Sequence, residues 1–217
     1  MTSIWPMMPL SQACQIRPPK SEARLRLKPS DEVSFMPMED LGICQKYVEP
    51  IKTRTLSEVE GSYTYFADGD VLLAKITPCF ENGKLGIATG LVSGVGFGSS
   101  EFIVFRVGKH LIAEWLYYFL SQDKFRRDGE ARMGGAVGHK RVSKEFIESY
   151  EIPVPPISEQ KLLVGVLDDA LAGISQAVTN AQLKLRYLAS LEQSILHKAM
   201  NGSLHAVARS DQSRSAG

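Results

Sequence analysis

Cysteine is scarce in this chain of 217 residues, which holds only Cys14, Cys44 and Cys79. Their number is odd and no two form a C-x-x-C pair. That excludes a paired-cysteine zinc site and a disulfide framework, and it fits a reducing, cytoplasmic compartment. Neither sign of charge is in excess, with 25 Lys and Arg against 24 Asp and Glu. A protein that coats nucleic acid through bulk charge is thereby excluded, and any nucleic-acid site must be a local patch. No uninterrupted apolar run approaches the roughly 18 residues of a membrane span, so no membrane association is expected. The first residues, MTSIWPMMPLSQ, lack a basic segment followed by an apolar core, so no secretory signal is expected either. What remains is ordinary globular composition, 44% hydrophobic and 23% charged, at a length of one domain plus something extra or two small ones.

Motifs that carry chemistry are missing as well. His110, His139, His197 and His205 show no metal-ligand spacing such as H-E-x-x-H. The glycines of Gly94 to Gly98 lack both the Lys-Ser/Thr of a P-loop and the G-x-G-x-x-G spacing, and they read as turn residues. Val154-Pro155-Pro156-Ile157 resembles the N-P-P-Y/F motif of amino-methyltransferases but has no Asn or Asp to hold a target amine. No catalytic residue, metal ligand or cofactor site is assigned, and the chain is expected not to be an enzyme by itself.

What is present changes character once along the chain. Up to about residue 108 the apolar residues fall in short β-favouring runs: 33–36, 64–66, 71–76, 85–88 and 102–105. Between Leu111 and Leu120 the period becomes helical. From Lys124 to Lys144 there are seven Lys or Arg, interleaved with four glycines and opposed only by Asp128 and Glu130. Basic groups on a glycine-rich loop can approach phosphates closely. The prolines around Val154 read as a stiff connector, after which Ser158 is placed as N-cap with Ile157 and Leu162 as a hydrophobic staple. His197 and Lys198 suit the last turn and Gly202 the C′ position, giving one helix of about 43 residues. Its seam of Leu167, Leu171, Ile174, Val178, Ala181, Leu185 and Leu188 alternates steps of four and three, the mark of a coiled coil. The expected class is α+β: a mixed α/β domain over residues 1–155, a helix over 156–202 and a disordered tail over 203–217.

Five blocks in order resemble the DNA-specificity (S) subunits of type I restriction–modification systems. They are Val33 to Leu41, Gly69 to Lys84 (GDVLLAKITPCFENGK), Gly96 to Val107 (GFGSSEFIVFRV), Met133 to Val142, and Ile152 to Gln160 (IPVPPISEQ). The resemblance implies a target-recognition domain that reads a short DNA half-site, followed by a spacer helix. It implies no chemistry in the chain itself. Methyltransferase subunits, which bind S-adenosylmethionine, and a motor–nuclease subunit would supply that. Candidate DNA contacts are Lys75, Thr77, Lys84, Ser99, Arg127, Arg132, His139, Lys140 and Arg141. Family members usually carry two such units with antiparallel helices, whereas this chain has one. It is therefore either a half-subunit that forms a homodimer through the helix seam or a fragment of a longer chain. Two other readings stay open: a recognition fragment of a larger DNA methyltransferase or endonuclease, and a helical scaffold that does not bind DNA.

Overall fold

Short continuous apolar runs such as 71–74, 85–88 and 102–105 become strands buried on both faces, and tertiary contacts add several that the pattern alone does not announce. The computed structural model describes residues 4–43, 45–136 and 138–203. The expected disordered tail beyond Ser203 lies outside these, as do Cys44, Val137 and His205. The chain divides into two units, one ending at Val164 and the other beginning at Gly165.

In the first unit the strands are β1 (Met7–Pro9), β2 (Cys14–Ile16), β3 (Glu32–Met36), β4 (Tyr47–Val48), β5 (Lys52–Thr55) and β6 (Thr64–Ala67). They continue as β7 (Val71–Ala74), β8 (Leu85–Ala88), β9 (Val95–Gly98), β10 (Phe102–Val107) and β11 (Glu151–Pro153). A five-stranded mixed sheet has the order β2-β10-β7-β8-β4, a four-stranded one β5-β3-β9-β6, and β1 pairs with β11. Both faces of the five-stranded sheet are buried. Val71, Leu73, Ile103 and Phe105 join a core with Phe80, Leu116, Leu120 and Phe125. Their neighbours Leu72, Ala74, Phe102 and Val104 face a second core with Met36 and Phe66. That is the period of two expected of strands.

Two readings of the sequence need correction here. Residues 95–98, taken for a turn, form β9 inside the four-stranded sheet. A Cβ on Gly96 would lie 2.2 Å from the Phe66 ring, and one on Gly98 would lie 2.4 Å from the Met36 carbonyl oxygen. Both glycines admit close neighbours rather than a change of direction. The stiff connector is in part a strand: β11 pairs antiparallel with β1, and Trp115 Nε1 donates to the Pro153 carbonyl at 2.9 Å. Prolines are tolerated there because the two-stranded sheet consists only of edges.

The helices of this unit are α1 (Leu10–Ala13), α2 (Ser21–Arg26), α3 (Leu56–Val59), α4 (Ala113–Leu120), α5 (Asp123–Glu130) and α6 (Lys144–Ser149). The stretch from Lys124 to Lys144 is therefore not one loop: it is most of α5, the segment 131–143, and the start of α6, capped by Ser143. Gly129 belongs to the packing, since a Cβ there would stand 2.4 Å from the Phe80 ring and 3.0 Å from that of Phe146. Gly129→Ala is expected to cost about 1–3 kcal/mol through overpacking, only partly offset by the roughly 1 kcal/mol gain in helix propensity. A lowered urea midpoint checks this.

The last helix, α7, runs from Ile157 to Met200, 44 residues or about 66 Å at 1.5 Å per residue. Ser158 is its second residue rather than its N-cap, and the Pro156 carbonyl accepts from the amides of Glu159 and Gln160. Leu162 is exposed, so the staple with Ile157 does not form. At the far end Gly202 adopts φ +78°, the left-handed conformation that a helix-ending glycine supplies. One window of α7 reaches a mean hydropathy of 1.4, long and apolar enough by length and composition to cross a membrane, although Asp168 and Asp169 interrupt its apolar run. An aspartate at a bilayer centre costs roughly 2.5–3.5 kcal/mol.

Candidate nucleic-acid interface

The end of the five-stranded sheet where β2 and β7 finish and β8 and β10 begin gathers candidates from distant parts of the chain. Lys75 follows β7, and its amide donates to the Glu101 carbonyl, just before β10, at 2.9 Å. The segment 139–142 folds back onto this end. Thr77 donates its amide to the Lys140 carbonyl at 3.0 Å, and Val142 donates to the Lys75 carbonyl at 2.9 Å. Arg141 also exchanges backbone hydrogen bonds with Gly134, closing the tip as a small hairpin. Ser99 shapes the turn into β10: its hydroxyl accepts from the Glu101 amide at 3.2 Å.

Glu101 is the hinge of this group. Arg141 donates to it bidentately, Nε to Oε2 at 2.9 Å and Nη2 to Oε1 at 2.7 Å, and Lys75 Nζ stands 3.8 Å away. The Arg141 hydrogen bonds hold the Glu101 carboxyl below the usual glutamate range. Burial lowers the Lys75 ammonium from its ordinary value despite that carboxylate. Lys75 Nζ also donates to the Ser100 carbonyl at 2.8 Å. A carboxylate shared by two cations leaves net positive charge and fixes both side chains in place.

The other candidates are placed differently. Lys84 starts at the same sheet end, but its ammonium is turned to the carbonyls of Met38 (2.8 Å) and Glu39 (3.2 Å). Thr77 donates its hydroxyl to Glu81 at 2.7 Å. His139 and Lys140 are exposed on the hairpin. Arg127 and Arg132 share no hydrogen bond or ion pair with the group. Arg127 lines a cleft with Glu81, Asp123 and Glu130, while the Arg132 guanidinium lies 5.4 Å from the centre of the Phe146 ring. Glu101, which sequence reasoning did not single out, is the organiser; it stands in one of the blocks quoted above, without a local pattern that marks its role. Among the described residues, no group of three or more His, Cys, Asp or Glu is placed to hold a metal.

A second surface belongs to α7. From Gly165 to Met200 every residue except Asp168 is exposed, including all seven of the seam. Gln160, in the first turns of the helix, is by contrast fully buried. Its Oε1 accepts from the Ile112 amide at 3.0 Å, and its Nε2 donates to the carbonyls of His110 (2.8 Å) and Pro155 (2.7 Å).

Comparison with known proteins bears on both surfaces. The sequence profile of the Type I restriction modification DNA specificity domain matches residues 5–185. The specificity subunit of the type I restriction enzyme EcoEI of Escherichia coli is 38% identical over 162 residues, covering 74% of this chain and 27% of that protein. The corresponding EcoAI subunit of Escherichia coli is 37% identical over 134 residues, covering 61% of this chain and 23% of that protein. The chain thus spans about a quarter of the length of these curated relatives. The fold is shared with the HsdS subunit of Thermoanaerobacter tengcongensis at a TM-score of 0.56 and 18% identity, covering 84% of this chain and 40% of that one. A chain from a structural study of type I R-M assembly and conformational transition gives 0.63 at 22% identity, covering 92% of this chain and 46% of that one.

Proposed function

The chain belongs to the type I restriction–modification DNA specificity family, and on that premise we propose that its first unit is one target-recognition module reading one half of a two-part DNA site. The observation that supports this best is the convergence of Lys75, Thr77, Ser99, Lys140 and Arg141 at one sheet end around Glu101. Phosphate contacts from such a patch set orientation, and neighbouring loops read bases. The chain carries no chemistry in this reading. Methyltransferase subunits holding S-adenosylmethionine, and a motor–nuclease subunit, dock on the complex and supply it. The exposed seam of α7 pairs with the same seam of a second copy, placing one reader at each end of a helical spacer. Two identical readers related by a two-fold axis require an interrupted palindrome.

A salt titration of duplex binding tests the module. Lys140→Ala is expected to weaken all sequences alike and to lower the salt slope by about one. Arg141→Ala removes the tie to Glu101 as well as a cation, so its loss is larger and the melting temperature also falls. A Lys140 effect confined to one sequence, with an unchanged slope, would assign that residue to base reading. Absence of any salt-dependent binding would contradict the proposed function.

A further inference from the structure

We propose that Arg17 is a DNA phosphate-binding residue, held at the end of β2 in a left-handed backbone conformation that adds its guanidinium to the basic sheet end. This deepens the recognition reading above and rests on it.

Arg17 has φ +57°, and apart from Ser93 every other positive-φ residue among those described is a glycine. A Cβ makes this conformation unfavourable, and arginine lacks the short polar side chain that lets Asn or Asp stabilise it locally. Pro18 follows and restricts the residue further. The surroundings still impose the geometry: the Arg17 amide donates to the Val104 carbonyl at 2.8 Å, extending the β2–β10 ladder by one bond. Strain held by its surroundings at an exposed residue points to function.

The side chain is exposed and makes no hydrogen bond or ion pair among the described residues. The nearby carboxylates are engaged elsewhere. Glu101 serves Arg141 and Lys75, and Glu148, which lines a shallow crevice beside Arg17, stands 3.5 Å from Lys144. Across the order β2-β10-β7-β8, Arg17 follows β2 level with Val104 and Leu72, while Lys75 follows β7 level with Glu101, so the two are set diagonally, about 10 Å apart along the strands and about 10 Å across them. Lys84 is committed to the Met38 and Glu39 carbonyls, Lys75 to the Ser100 carbonyl and Arg141 to Glu101, so among the described residues the open cations of this end are Arg17 and Lys140. Burial lowers the Lys75 ammonium most and Glu101 opposes it, while Arg17 and Arg141 add smaller repulsions, which places Arg17 within electrostatic reach of Lys75. Cations set diagonally across the sheet end, with no anion for Arg17 among the described residues, suit a ligand with repeated negative charges, and the guanidinium fork matches phosphate oxygens. A nucleic-acid backbone has that chemistry; a single small anion would meet only one end of the diagonal.

The test uses the full chain, a mixed-sequence duplex and a duplex selected for tight binding, with affinity measured across salt and the melting temperature measured alongside. Arg17→Gly is expected to keep or raise the melting temperature by relieving the left-handed strain. It should weaken both duplexes about tenfold at low salt and reduce the salt slope by about one. Arg17→Lys should retain the slope. If the wild type binds and Arg17→Gly leaves affinity and slope unchanged, the assignment is overturned. It is overturned too if binding falls only in proportion to a lost melting temperature. A wild type without salt-dependent binding to any duplex would remove the recognition reading itself, a result distinguishable from the first two.

Discussion

Replacing Ile174 and Val178 together with glutamate is expected to raise the dissociation constant of the paired chain by roughly 10²–10⁴-fold. The two side chains are 58% and 50% exposed on the helix, so pairing would cover about half of each. A fully buried residue of this size contributes about 1.5–3 kcal/mol, and half of that over four side chains in a two-fold dimer comes to roughly 3–6 kcal/mol. Glutamate adds the cost of burying charge. Sedimentation equilibrium of wild type and double variant reads the effect directly, and unchanged helical circular dichroism shows that α7 persists. Loss of pairing should also remove tight binding to a two-part site while leaving weak binding by single units. A wild type that stays monomeric at tens of micromolar, a range in which specific pairs associate, assigns the seam to another subunit and removes the palindrome with it.

Gln160→Leu is expected to destabilise the first unit by about 2–5 kcal/mol, although leucine nearly matches the volume. The side chain is fully buried, and its amide serves one donor and two acceptors: the Ile112 amide, the His110 carbonyl and the Pro155 carbonyl. Leucine would leave all three without that partner. Ile112 is also the N-cap residue of α4, so the amide of Gln160 ties the start of α7 to the start of α4. Urea unfolding should show a lower midpoint with an unchanged slope. Gln160→Glu keeps the acceptor but sets a buried carboxyl against two carbonyl oxygens, so at neutral pH its loss should be at least that of leucine and should shrink as the pH falls. A change below about 1 kcal/mol would mean that this amide does not anchor the helix.

The physical content of these sites was legible in the sequence to different depths. β8 falls on residues 85–88 as expected because its four buried residues are bounded by Asn82-Gly83 and Gly90. The end of α7 is readable from Gly202 and its length from the proline-free run, although Ser158 is not its N-cap, and the exposure of its seam follows from that length. β9 was hidden because Gly96 and Gly98 carry a turn signature locally, while the reason for them is the ring of Phe66 and the carbonyl of Met36, both far away in sequence. The β1–β11 pair joins the two ends of the unit, beyond the reach of any local pattern. Charge counting singles out Lys140 and Arg141, and the resemblance adds Lys75 and Lys84 as candidates, yet neither shows that Lys84 is occupied by carbonyls or that Arg141 is clasped by a glutamate 40 residues earlier. Arg17 gave no signal, because its distinction lies in a backbone angle and in the absence of a counter-charge.

Whether paired chains read an interrupted palindrome is decided by selecting bound duplexes from a random-sequence library, using the full chain at concentrations where it is paired. Two inverted copies of one short sequence separated by a fixed gap should be enriched, with two chains per duplex by mass. Enrichment of a single asymmetric sequence, or of none, would rule out the two-fold pair of readers.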